Sequence, residues 1–254
     1  MFNRKHLTFA SAVLLLACSG CRVTFAPAAP TETLTPAPTA TATIQWFPPT
    51  LIPSPFATPN ATPTADLRPG IGELLLEDDF SDETLWTTGR DDDGVVMVSG
   101  GSIYLGLNAE RSYLFSTRIS PVFRDFYAEI TANTTLCREE DEYGLLIRGL
   151  DGDHYRFALS CDGRAKVDRY LGEGLSRQAG WAQNQAVPSL APASTRLGVW
   201  ASGSQLHFFV NDLFLFNVND TQLFRGTIGV FVHTAGSGDV AVSFSDLQVW
   251  AVGE

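Results

Sequence analysis

Between residues 66 and 254 the chain alternates apolar and polar residues with a period of two, and this pattern limits its fold more than any other feature. In Asp125–Ala132 the residues Phe126, Ala128, Ile130 and Ala132 fall on one side and polar residues on the other. Tyr155, Phe157 and Leu159 repeat the pattern, as do Leu197, Val199 and Ala201, then Leu206, Phe208 and Val210, then Val240, Val242 and Phe244. Successive side chains of a strand point to opposite faces, so each run has one face to bury. Turn formers separate the runs: Ser99-Gly100-Gly101-Ser102, Asp151-Gly152, Asn211-Asp212 and Gly236-Ser237-Gly238. Roughly a dozen short strands at a spacing of about 8–12 residues, with no helical period, predict an all-β, antiparallel two-sheet sandwich. Glu173–Ala193, with Pro188 and Pro192, reads as the longest irregular piece and as a rim loop.

Residues 1–65 cannot join that sandwich. The chain opens MFNRKH, and Arg4 and Lys5 precede an uncharged run from Leu7 to Ala17. A basic start followed by about 7–15 apolar residues and then small ones describes a secretory signal peptide, here residues 1–17. A membrane-spanning helix needs about 20 apolar residues, more than this run supplies. Cys18-Ser19-Gly20-Cys21 is formally a C-x-x-C, but it follows a targeting segment instead of opening a helix in a βαβ unit. Leu15-Leu16-Ala17-Cys18 resembles the lipobox of bacterial lipoproteins. That resemblance implies that Cys18 carries a diacylglyceryl group and begins the mature chain, anchored to a membrane through its lipid. Cys21 is the alternative acceptor, although Cys18 would then stand where an aliphatic residue is usual.

Residues 18–65 read as a disordered stalk. Ten of the fourteen prolines lie between Arg22 and Ala65, with Thr and Ala filling most of the gaps. This composition buries no core and favours polyproline II, which would hold a domain on the order of 100 Å from its anchor. Trp46, Phe47 and Phe56 are unusual in a spacer; they read as stray aromatics or as a docking spot.

The domain itself carries a second resemblance. LLLEDDFSDETLW, VSGGSIYL, DFYAEITA, YGLLIRG, HYRFALSCDG, RLGVWASGSQLHFFVND and RGTIGVFVHTAGSGDVAVSFSDLQV follow in order. This succession is similar to the concanavalin A-like lectin/glucanase superfamily, near its 3-keto-disaccharide-hydrolase-like group. The resemblance implies a jelly roll whose face or rim meets carbohydrate. The fold hosts lectins, glycosidases and structural modules alike, so it names no ligand.

Cys137 and Cys161 flank a hairpin predicted around Asp151-Gly152, which would set Cys161 opposite about residue 142. Cys137 could fold back beside it through Arg138–Asp141, giving a disulfide suited to an exported protein; two buried thiols are the alternative. No histidine sits at metal-ligand spacing beside them. The formal charge of −11 opposes nucleic acid and anionic membrane surfaces as partners. A monomer is expected.

No catalytic motif is evident. Glycosidases need two carboxylates flanking the scissile bond. Glu77-Asp78-Asp79-Phe80-Ser81-Asp82 approaches the E-x-D-x-x-E strand of the resembled glucanases, but it ends in Asp and reads as a solvated strand end. Glu139-Glu140-Asp141-Glu142 lacks the spacing and reads as an exposed loop, while His154, His207 and His233 stand isolated. Calcium takes roughly six to eight oxygens from converging loops. Asp79 and Asp82 with Asp246, or the cluster Asp91-Asp92-Asp93, are its candidate ligands. For a carbohydrate, the candidates off the apolar face are Trp200, His207, Arg148, Arg156 and Glu129, with Arg148 and Arg156 expected as neighbours in the hairpin. The reading favoured is a lipid-anchored, extracytoplasmic, non-catalytic binding module for a glycan or envelope polymer. A glycoside-acting enzyme and a structural or protein-interaction module are the alternatives.

Overall fold

In a computed structural model the described residues are 66–236 and 238–253. The expected signal peptide, Cys18, Cys21, the expected stalk and its aromatics lie outside them. Fifteen strands follow one another. They are β1 (Ile71–Asp78), β2 (Gly89–Arg90), β3 (Gly94–Ser99), β4 (Ser102–Leu107) and β5 (Tyr113–Thr117). Next come β6 (Phe126–Leu136), β7 (Glu142–Leu150), β8 (Asp153–Ser160), β9 (Arg164–Leu171) and β10 (Gly174–Gln183). The last are β11 (Ala193–Ser202), β12 (Gln205–Val210), β13 (Leu213–Asn219), β14 (Thr227–His233) and β15 (Val240–Val252). A single short 3-10 turn, Glu83–Leu85, interrupts them among the described residues.

The strands form two antiparallel sheets. One is nine-stranded, in the order β13-β12-β11-β6-β15-β4-β3-β2, with β1 also pairing β15; the other is six-stranded, in the order β10-β9-β8-β7-β14-β5. The inward set of every predicted alternation forms one core. Ile130, Val199, Phe208 and Phe244 of the larger sheet meet Leu145, Phe157, Val167 and Val230 of the smaller, all fully buried. Each such side chain contributes on the order of 1.5–3 kcal/mol. Residues 61–254 form one of the two compact units of the chain, and this core lies wholly within it, so the unit is self-contained.

The turns follow their residues. Gly100-Gly101, Asp151-Gly152 and Asn211-Asp212 all take positive φ, the geometry that two-residue hairpins require. Cys137 and Cys161 are joined by a disulfide, and the amide of Cys161 donates to the carbonyl oxygen of Asp141 at 3.0 Å.

Two expectations are corrected here. Glu173–Ala193 is not one loop, because Gly174–Gln183 forms the edge strand β10 on β9. Irregular pairing at Arg177, Ala179 and Ala182 breaks its register, and its exposed side chains lack a continuous apolar face. Nor is Glu139–Glu142 an exposed loop throughout: Asp141 and Glu142 are buried, and Glu142 begins β7.

Candidate functional site

The outward set of residues on the six-stranded sheet should be solvated, and much of it is buried instead. Strand register arranges this face in rows. Tyr113, His233 and Glu142 form one row across β5, β14 and β7. Phe115, Phe231, Gly144, Ala158 and Lys166 form the next. Thr117, Gly229, Leu146, Arg156, Asp168 and Arg177 form a third. In the second row Gly144 and Ala158 are small, and the Phe231 ring lies against Gly144. A Cβ on Gly144 would meet the Phe231 ring at 3.2 Å and the Phe157 carbonyl oxygen at 2.0 Å, so only glycine fits there.

A charged network spans this floor. Lys166 Nζ sits 2.8 Å from Glu142 Oε1 and 3.4 Å from Asp168 Oδ2. Arg156 Nη2 lies 3.3 Å from Asp168 Oδ2 and 4.0 Å from Glu142 Oε2, and Arg177 Nε donates to Asp168 Oδ1 at 3.2 Å. Glu142, Arg156, Lys166 and Asp168 are all more than nine-tenths buried. Aromatic rings complete the enclosure: the Arg156 guanidinium is 4.9 Å from the Tyr170 ring centre, 5.4 Å from Phe231 and 5.5 Å from Tyr113. Lys166 Nζ lies 4.4 Å over Trp181. Desolvated cation–aromatic contacts of this kind are worth about 2 kcal/mol.

The environment sets the charges. Burial opposes the charge of Arg156, but neighbouring Glu142 and the other acidic partners more than offset it, and the guanidinium is held above its usual value. Burial pushes the Tyr113 hydroxyl up, so it stays protonated as a donor. Burial pulls His233 down against the opposing pull of Glu142, so its imidazole is neutral at pH 7.

Six buried polar atoms on this face have no hydrogen-bond partner among the described residues: the Tyr113 hydroxyl, Glu142 Oε2, Arg156 Nε, Arg164 Nε and one ring nitrogen each of His154 and His233. Buried polar groups are normally satisfied, and these atoms are shielded from solvent, so a hydroxyl that slips between the surrounding rings would complete their bonding.

The sequence candidates are divided among three places. Arg156 alone belongs to this face. Arg148 does not stand beside it, because Leu146 pairs with Arg156 and a register shift between Ile147 and Leu150 sets Arg148 in the left-handed region, at φ 52°. Its fully buried guanidinium donates to the carbonyl oxygens of Gly203, Leu223 and Arg124 at 2.8, 2.8 and 3.1 Å. Trp200, His207 and Glu129 lie on the outer face of the other sheet, beneath the segment 66–70. Trp200 Nε1 donates to Pro69 O at 2.9 Å, His207 Nδ1 lies 2.6 Å from Leu67 O, and the two rings stack. Arg68 donates to the Tyr127 hydroxyl at 2.9 Å and lies 3.9 Å from Glu129, which accepts from the same hydroxyl.

Of the calcium candidates, Asp79 and Asp246 come together and Asp82 lies apart. Asp79 and Asp246 line one hollow with Glu77, Asp78 and Gln248. Asp82 lines another and accepts from the amide of Thr84, capping the 3-10 turn. Asp78 is committed to Trp86 Nε1 at 3.1 Å and to Arg118 Nε at 2.7 Å. Asp91 accepts from the amides of Asp93 and Gly94, closing its own turn. No group of three or more His, Cys, Asp or Glu placed to hold a metal occurs among the described residues.

Asp168, Lys166, Tyr113, Tyr170 and Trp181 escape a reading of the sequence, in which Glu142 reads as an exposed loop residue and His233 as an isolated histidine. Lys166, Asp168 and Tyr170 do alternate with Ala165, Val167 and Arg169, but a polar strand face reads by default as solvated.

No protein-family model matches the chain, and a search of curated proteins found no match. Solved structures do match. A carbohydrate-binding module from Bacillus subtilis superposes with a TM-score of 0.53 at 15% identity, over 66% of this chain and 96% of that one. The catalytic domain of an endo-1,3-beta-glucanase (laminarinase) from Thermotoga petrophila gives 0.53 at 9% identity, over 72% and 98%. The fold is a concanavalin-like jelly roll. A Bacteroides ovatus mixed linkage glucan PUL GH16 in complex with a G4G4G3G product agrees, at 0.53 and 11% identity over 69% and 99%. Such distant likeness carries the jelly-roll architecture and leaves the site to this chain's own side chains.

Proposed function

We propose that this jelly roll is a non-catalytic glycan-binding module, held outside the cytoplasm by a lipid on Cys18 and displayed on its Pro/Thr stalk. The observation that carries the reading is the cluster of open polar atoms at Tyr113, Glu142, Arg156 and His233. A sugar hydroxyl both donates and accepts, so vicinal hydroxyls suit neighbouring donors and acceptors. The rings of Tyr113, Tyr170 and Trp181 offer apolar area to the C–H patches of a pyranose. The similar carbohydrate-binding module and glucanases support a glycan as the ligand class.

The charged network favours binding over hydrolysis. Glycosidase carboxylates flank an open gap that receives the glycosidic oxygen. Here Lys166 Nζ bridges Glu142 Oε1 and Asp168 Oδ2, and Arg156 and Arg177 hold Asp168, so cations fill the gap between the two carboxyls and only Glu142 Oε2 is left for a ligand. Saturable binding of the unit 61–254 to a coherent set of sugars on a glycan array, weakened by Tyr113→Phe and by Trp181→Ala, is the expected result. A blank array, with and without calcium, would overturn the reading and leave a structural or protein-docking module.

A further inference from the structure

A hollow lies beside the unpartnered polar atoms on the same sheet face. It has a volume of about 400 Å³ and is lined in part by Phe115, Ile119, Leu146, Leu150, Gly229 and His154. Its rim is unusually apolar for a strand surface: Phe115 is 49% exposed, Ile119 64% and Leu150 41%. Large apolar side chains left together in the open mark a binding surface more often than scattered ones do.

The hollow and the polar cluster are neighbours. Leu146 lines the hollow and pairs with Arg156 across β7 and β8. The Phe115 ring stacks on Tyr113, with centres 5.7 Å apart. His154 stacks on Tyr170, at 4.9 Å, with one buried ring nitrogen unpartnered. A ligand resting on Tyr113 and Arg156 therefore has an apolar recess within reach. Charge excludes one class of occupant. Asp151 and Asp153 line the recess, and Arg118, its one cation, is already bound to Asp78 at 2.7 Å. A free fatty acid would thus bring a carboxylate to acidic neighbours with no available counter-charge.

We propose that the recess receives an uncharged apolar substituent carried by the glycan, such as an alkyl, acyl or aryl group, so that the true ligand is an amphiphilic glycoside. This inference rests on the glycan-binding reading of the polar cluster. Burial of several methylene groups in such a recess supplies about tenfold or more in affinity.

The test is titration of the unit 61–254 with methyl and octyl glycosides of glucose, galactose, mannose and N-acetylglucosamine, below the micelle concentration, followed by NMR shifts. For the preferred sugar, the octyl glycoside is expected to bind about tenfold or more tighter than the methyl glycoside. Leu150→Asp and, independently, Ile119→Ser should remove that gain and leave methyl-glycoside binding unchanged. Both positions are exposed enough for the fold to tolerate the change. Equal affinity of methyl and octyl glycosides would overturn the inference while the glycan reading stands. Absence of shifts at Tyr113 and Arg156 with every glycoside would overturn both. Octanol binding as tightly as the octyl glycosides, regardless of the sugar, would overturn the inference by showing an apolar sink unconnected to glycan recognition.

Discussion

The indole nitrogen of Trp200 donates to the carbonyl oxygen of Pro69 at 2.9 Å, which fixes the start of the folded domain against the outer face of the nine-stranded sheet. Trp200, Tyr127 and Phe209 form a separate apolar cluster there, with Leu67 and Trp250 packed against it. Arg68 closes the strap, with its guanidinium 4.9 Å from the Phe209 ring centre. Trp200 thus holds Pro69 on the outer face of the nine-stranded sheet, on the side of the sandwich away from the polar cluster.

Trp200→Phe is expected to cost about 1 kcal/mol through the lost hydrogen bond, and Trp200→Ala about 3–5 kcal/mol through the lost packing as well. Either change should speed amide hydrogen exchange at residues 67–70 before it does so in the core, while glycan binding by the folded fraction stays intact. Loss of binding without faster exchange there would place Trp200 in the ligand site instead.

Arg148 carries a different load. Its three carbonyl partners come from separate connections, those holding Arg124, Gly203 and Leu223, so one guanidinium ties three loops together at one end of the sandwich. Removing it breaks three part-buried hydrogen bonds to a charged group, each worth about 1.5–3 kcal/mol. Arg148→Met should therefore lower stability by about 3 kcal/mol or more in chemical denaturation. Arg148→Lys should recover little of this, because an ammonium lacks the planar fork that reaches separate acceptors.

Asp168 is the hub of the outer-face network. It is fully buried and meets Arg156, Lys166 and Arg177. Asp168→Ala strands Arg156 and Lys166 in a buried setting, with Glu142 as their remaining acidic partner, and should cost about 3–5 kcal/mol. Arg177 is half-exposed, and its removal should cost less than about 1 kcal/mol. Equal effects of the two substitutions in denaturant melts would show that the network is solvated and not a closed unit.

The fold was legible in the sequence because alternation and turn chemistry act locally. Phe126, Ala128 and Ile130 announce their face, and Asn211-Asp212 announces its hairpin, without reference to anything distant. The pairing of Cys137 with Cys161 followed from one hairpin's register. The site was not legible, because a polar residue such as Asp168 reads the same whether it meets water or three cations from β8, β9 and β10. The same limit applied to Trp200, whose burial depends on residues 66–70 crossing from 130 positions away. Arg148 was misplaced by a bulge that no local pattern declares.

Two histidines make the domain's stability depend on pH in a defined direction. Burial holds His233 and His154 below their ordinary value of 6.5. Around His233, Arg156 and Lys166 add to the depression, while Glu142 and Asp141 oppose it; around His154, Arg156 adds to it, while the Gly152 carbonyl and Asp153 oppose it. The unfolded chain therefore takes up these protons first as pH falls. Their contribution is complete above about pH 6.5, declines as pH drops through the depressed folded values, and is constant below them. Denaturation midpoints should fall between about pH 7.5 and 5.5, and the His154→Gln, His233→Gln double variant should flatten that slope. Asp79, Asp82 and Asp162 are also held below their usual range, mainly by hydrogen bonds, but their share is lost at more acid pH and leaves this window to the histidines. An unchanged slope in the double variant would show that both imidazoles titrate alike in the folded and unfolded chain, and that His233 is open to water instead of enclosed by Glu142, Arg156 and Tyr113.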